Sequence, residues 1–107
     1  MQQDKWNLIV SSYLSNPRDV ITVPLGNRKG RWFYVNVEDG KVVISQAQQH
    51  GFSSSLKYRR VLNPNELDTL FDLYLKRLHG EQVSQQVLNA SINASYWFGI
   101  FSDLNLQ

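Results

Sequence analysis

The chain carries two histidines, and the first of them, His50, stands three residues ahead of the serine run Ser53-Ser54-Ser55. A base and a set of hydroxyl nucleophiles are therefore close together in the sequence. Nucleophilic catalysis also needs the base aimed at the hydroxyl and a third group to orient the base. No strand–turn–helix elbow of the GxSxG kind surrounds these serines, so the segment reads as a polar loop. Metal chemistry is poorly served. His79 is far from His50, neither sits in an HxH or HExxH pattern, and the chain has no cysteine. The missing cysteines exclude a thiolate metal site, a disulfide framework and a cysteine nucleophile. Asp68 and Asp72 fall one turn apart on a helical segment and read as a solvated face. Glu38, Asp39 and Lys41 surround Gly40 in a turn rather than lying on a nuclease-like strand. The Gly26-Asn27-Arg28-Lys29-Gly30 loop lacks the spacing of a phosphate-binding Walker or dinucleotide motif. The expectation is a non-enzymatic protein with no catalytic residues, no metal and no cofactor.

Binding chemistry is better represented. Arg28, Lys29 and Arg31 run directly into Trp32, Phe33 and Tyr34, and Lys57-Tyr58-Arg59-Arg60 repeats the mixture. Cations neutralise phosphates and release counterions, while exposed rings stack on bases. The expected nucleic-acid-binding set is therefore Arg28, Lys29, Arg31, Trp32, Tyr34, Lys57, Arg59 and Arg60, with a regulatory or nucleic-acid-associated role. On this expectation Arg59→Ala and Arg60→Ala weaken binding. Exposure of Trp32 and Tyr34 beside the cations would favour the polyanion, and their burial beneath the C-terminal helices would favour interaction through those helices. A helix-turn-helix over residues 83–100, with a recognition helix starting near Asn93, is a second route to DNA. It is opposed by the absence of any lysine or arginine from Val83 to Leu106, because such a motif relies on phosphate contacts. The alternative function is a protein-interaction or homo-oligomeric module. It would use Tyr96, Trp97, Phe98 and Phe101, which crowd a last helix that is apolar almost all round. The partners admitted are thus a nucleic acid, a second copy of the chain, or another protein.

The charge map supports a polyanion partner. Net charge over the 107 residues is only +2, but residues 17–60 hold eight basic against three acidic side chains, and residues 61–107 two against five. A basic middle and an acidic end suit an anionic partner, or a head-to-tail contact between copies. Hydrophobic residues make up 42% and charged residues 19%, so a packed core is expected rather than disorder. The N-terminus lacks the basic start and apolar run of a signal peptide, and no apolar stretch has membrane-spanning length. A soluble, cytoplasmic chain without membrane association is expected.

These residues must be positioned by a small number of elements. Trp6, Ile9, Val10 and Tyr13 follow helical spacing over residues 4–14, ended by Asn16-Pro17. Three period-two runs follow at 19–25, 31–37 and 41–46. Asp39-Gly40 predicts a type I′ hairpin that sets Val37 opposite Val42 and Val35 opposite Ile44. The Gly26–Gly30 loop, taken as a hairpin, sets Val23 opposite Phe33 and Ile21 opposite Val35. Residues 56–62 suit a fourth, edge strand. Asn63-Pro64-Asn65-Glu66 opens a capped helix running to Gly80, and further helices are expected over 81–90 and 94–104. Gly99 within the last of these marks a close helix contact. The fold class is α+β, as a single domain over residues 1–107. It comprises an N-terminal helix, a three- or four-stranded antiparallel meander, and two or three C-terminal helices packed on one face.

Overall fold

A computed structural model describes residues 3–26 and 28–106. The first helical pattern forms α1 (Gln3–Ser15), which buries Ile9 and Tyr13. Strands β1 (Arg18–Ile21), β2 (Trp32–Glu38), β3 (Lys41–Gln46) and β4 (Arg60–Val61) form one antiparallel sheet in the order β1-β2-β3-β4. A single 3-10 turn (Pro64–Glu66) then leads into α2 (Leu67–Leu78), α3 (Ser84–Ala90) and α4 (Ala94–Asp103). The α+β architecture expected from the sequence is the one observed, with four strands and three C-terminal helices.

The β2–β3 hairpin has the expected register: Val37 pairs with Val42, Val35 with Ile44 and Glu38 with Lys41. Asp39 and Gly40 take φ of 51° and 73°, the two left-handed residues that a type I′ turn demands. The β1–β2 register differs from expectation. Val20, not Val23, pairs with Phe33, and Arg18, not Ile21, pairs with Val35. This three-residue slip is odd, so it exchanges the faces of β1. Val20 enters the core at 2% exposure while Ile21 is 41% exposed. The cause lies just past the strand. The Val23 N–H donates to the Ser95 carbonyl of α4, and Pro24 has no N–H to give to a ladder. The chain therefore leaves the sheet after Thr22 and returns to it at Arg31, a wide separation rather than a tight hairpin.

One face of the sheet, carrying Val20, Phe33, Val35, Val42 and Ile44, packs against α1 and α4, and α2 and α3 pack on α4 in the same apolar cluster. Helix α4 lies at its centre. Trp97, Ile100 and Phe101 are fully enclosed, and the Phe101 ring meets those of Phe71 and Tyr74 at 5.3 Å. Gly99 permits this position, because a Cβ there would lie 2.5 Å from the Ile21 carbonyl oxygen. Asn63 caps the 3-10 turn, its Oδ1 accepting from the Asn65 N–H at 3.0 Å. Glu66, expected to complete a capping box, instead accepts a hydrogen bond from the Trp97 indole N–H at 3.2 Å. The opposite face of the sheet is covered by the loop after β3. His50 stacks on Trp32 with centroids 3.7 Å apart, and Tyr34 lies in a hollow with Gln48 and Gln49. None of the helices is long and apolar enough to cross a membrane, among the described residues.

Candidate anion-binding cleft

The wide connection that replaces the expected hairpin shapes a cleft of about 540 Å³ at one end of the sheet. Its base is pinned by a reciprocal pair: the Thr22 N–H donates to the Arg31 carbonyl, and the Arg31 N–H donates to the Thr22 hydroxyl, both at 2.9 Å. On the helix side, the Arg77 guanidinium donates to the Pro24 carbonyl at 2.7 Å. The opposite wall is Phe52. The Trp32 N–H donates to its carbonyl at 3.1 Å, and the Ser54 N–H donates to the Trp32 carbonyl at 2.8 Å. These two bonds fix Phe52 at φ 50°, a left-handed conformation unusual for a bulky residue. Strain of this kind persists only where the surroundings over-determine it.

Arg28, Lys29 and Arg31 all line the cleft, together with Thr22, Ser54 and Ser95. Lys29 Nζ stands 4.5 Å and Arg31 Cζ 4.8 Å from the centroid of the Phe52 ring, so one aromatic ring is in contact with two cations. No carboxylate lines the cleft. Nor does any carboxylate pair with these cations among the described residues. The ion pairs found are Arg18–Asp103, His50–Asp19, Arg59–Glu38 and Lys76–Asp72. Three cations held together without a counter-charge generate a positive potential that an anion would relieve.

The remaining expected residues are placed elsewhere. Trp32 and Tyr34 are half-buried on the sheet face away from the helices, and what covers them is the loop after β3 rather than the C-terminal helices. The upper face of Trp32 is occupied by His50 and does not present a free stacking platform. Arg59 is paired with Glu38. Arg60 lies opposite Ile44 on the core side of the sheet, where its guanidinium donates to Asn93 Oδ1 at 2.9 Å and sits 5.7 Å from the Tyr96 ring centroid. Lys57 is exposed over the Tyr58 ring. The eight residues thus divide into one converging trio and five that do not join it.

The C-terminal aromatic set is also relocated. Tyr96, Trp97, Phe98 and Phe101 are 8%, 0%, 1% and 0% exposed, so the rings expected to anchor a partner are interior side chains. The sheet and α2 supply enough apolar surface to enclose α4, and no second copy is required for that purpose. The same burial removes the recognition-helix reading of α4, since a helix enclosed on its Tyr96–Phe101 faces cannot enter a groove. The helical pair is a core hairpin, with Asn93 committed to Arg60 and its N–H to the Ser91 hydroxyl at 2.9 Å.

Around His50 the structure assembles a dyad that the sequence concealed. Asp19 Oδ2 lies 2.9 Å from His50 Nδ1, and the same carboxylate accepts from the N–H groups of Gln48, Gln49 and His50 at 2.9, 2.7 and 3.0 Å. The Asp19 side chain is only 2% exposed. Desolvation pushes its pKa up, but the bonds from Gln48, the His50 ring, Gln49 and the His50 N–H outweigh it and hold the carboxyl below its usual range. A carboxylate-oriented imidazole lacks only a nucleophile to resemble a triad. Two serines of the run are engaged elsewhere: Ser53 Oγ accepts from the Gln46 amide, and Ser54 Oγ is buried 2.5 Å from the Tyr96 hydroxyl. The dyad serves as the clamp that holds residues 48–50 over the sheet. Among the described residues no group of three or more histidines or carboxylates is placed to hold a metal ion. Comparison with protein-family models, with curated proteins and with solved structures finds no match to this chain.

Proposed function

We propose that this chain is a non-enzymatic binding protein whose cleft takes the phosphate backbone of a nucleic acid through Arg28, Lys29 and Arg31. The observation that carries the reading is that these three cations line one cleft without an acid, two of them over Phe52. Elsewhere Arg18, Arg59 and Lys76 each have a carboxylate partner. Guanidinium groups suit phosphate oxygens through paired donors. Base readout has less support. Phe52 is taken by two cations and Trp32 by His50, so the surface favours phosphates over bases, and binding is expected to be largely independent of sequence.

The test is fluorescence anisotropy of the full chain with labelled single- and double-stranded oligonucleotides across a salt series. Three phosphate contacts predict a slope of log K against log salt of roughly −2.1 to −2.7, or about a 20- to 40-fold loss between 50 and 200 mM salt. Replacing Arg28, Lys29 and Arg31 together by glutamine is expected to abolish binding. Binding by that triple variant equal to the wild type, or a flat salt response, overturns the proposal.

A further inference from the structure

Next to the basic cleft, and sharing Pro24, Arg28 and Ser95 with it, is a second pocket of different character. It lies between the start of the wide connection and the α3–α4 corner. Its volume of about 310 Å³ is at the lower end of the range for small-molecule sites. Val23, Leu25, Val87 and Phe98 give it apolar walls, and Leu88 and Ile92 stand at its rim. Those two rim residues are 64% and 85% exposed, an unusual commitment of long apolar side chains to water beside a concave apolar surface.

The charges around this pocket are all of one sign. Arg28 lines it, and no carboxylate does. A second cation is held behind its wall. The Arg77 guanidinium bonds the carbonyl of Pro24 and lies 6.0 Å from the Phe98 ring centroid, and both of these residues line the pocket. Arg77 Nη1 is buried without a hydrogen-bond partner. A buried guanidinium nitrogen left unpaired is costly, and its charge is little screened in apolar surroundings. A neutral apolar guest would leave Arg28, the cation that lines the pocket, unanswered. A phosphate chain brings nothing to fill the walls. We infer that the pocket binds a small apolar monocarboxylate, of the medium-chain fatty acid class, with its hydrocarbon between Leu25, Leu88, Ile92 and Phe98 and its carboxylate on Arg28. This inference stands apart from the nucleic-acid reading, since it rests on different walls and a different ligand chemistry. The shared Arg28 links the two: an occupant that engages Arg28 withdraws one cation from the adjacent cleft.

The experiment is a titration of the ¹⁵N-labelled full chain with sodium decanoate, followed by amide shifts, with decanol and acetate as controls. Decanoate is expected to bind saturably, with Kd of about 0.1–1 mM, moving the amides of Val23, Leu25, Ser91 and Ile92. Acetate leaves those amides still, and decanol binds at least several-fold more weakly. Arg28→Gln is expected to weaken decanoate by roughly tenfold, the loss of a charge-assisted contact. Ile92→Ser, at a site exposed enough to leave the fold intact, weakens decanoate without changing oligonucleotide affinity. Lys29→Gln/Arg31→Gln does the reverse, so failure of either reading is seen separately. Equal affinity for decanol and decanoate, or no shift at these amides with decanoate, overturns the inference.

Discussion

Residues 28–34 and 57–60 look alike as sequence, each interleaving cations with aromatic rings, yet the fold uses them oppositely. Two of the second cluster's three cations are drawn into the structure itself: Arg59 pairs with Glu38, and Arg60 reaches Asn93 and the Tyr96 ring, while Lys57 stays exposed over Tyr58. The first is gathered on Phe52 and left without acids. A cation already matched by a carboxylate or a buried acceptor has little to gain from an external anion, whereas three unmatched cations gain a great deal. Sequence density of charge is therefore a poor guide to a binding surface, and the distribution of counter-charges a better one.

The largest effect expected from this contrast is on oligonucleotide binding. Lys29→Gln/Arg31→Gln should lower the salt slope by roughly two, while Lys57→Gln/Arg59→Gln leaves slope and affinity near those of the wild type. Anisotropy titrations of the two double variants at several salt concentrations decide it. Equal losses from both would mean that the clusters act together and that the contrast is unfounded.

The next effect falls on Asp19, an acid of the basic region that is committed to the fold. Asp19 accepts four hydrogen bonds from the 48–50 loop, so Asp19→Asn is expected to destabilise the chain by about 2–3 kcal/mol. Because the carboxyl is held below its usual range, its contribution is complete above its unfolded pKa of about 3.9 and is lost as pH falls through the folded value. Wild-type stability should thus decline below about pH 4, with a shallower decline in Asp19→Asn. Urea unfolding at pH 7 and pH 3 measures both. A smaller effect, about 1–2 kcal/mol, is expected for Arg60→Met, which keeps the stem but removes the bond to Asn93 and the contact with Tyr96. Oligonucleotide affinity should not change with it.

What the sequence made legible follows the range of the interactions concerned. The helices, the Asp39-Gly40 turn and the β2–β3 register depend on neighbours, and local periodicity revealed them. The β1 register was hidden because the device that ends the strand, Val23 donating to Ser95, joins residues on different elements. The converging cations were legible since Arg28, Lys29 and Arg31 are close in sequence. Their platform Phe52 was not, nor was the clamp Asp19, whose partners are about 30 residues away. The partners of Arg59 and Arg60 were hidden for the same reason, their acceptors lying 21 and 33 residues distant. The apolar stripe of α4 was read correctly as needing cover, but the cover comes from the chain's own sheet and α2 rather than from a partner.

The smallest predicted effect is the most exacting for the contrast between clusters. Arg59 and Glu38 are 61% and 44% exposed, so water and salt screen their pairing. Arg59→Ala is therefore expected to cost no more than about 0.5 kcal/mol in stability. It also uncovers the Glu38 carboxylate and removes one positive charge from the surface, so long-range attraction for a polyanion falls slightly. If Arg59 is occupied by Glu38, oligonucleotide affinity should change by less than about twofold, and the salt slope should stay where it was. A loss of severalfold accompanied by a slope lower by about one would mean that Arg59 leaves Glu38 to hold a phosphate. The ion pair would then be a resting arrangement that the ligand displaces, and the second cluster would belong to the site after all.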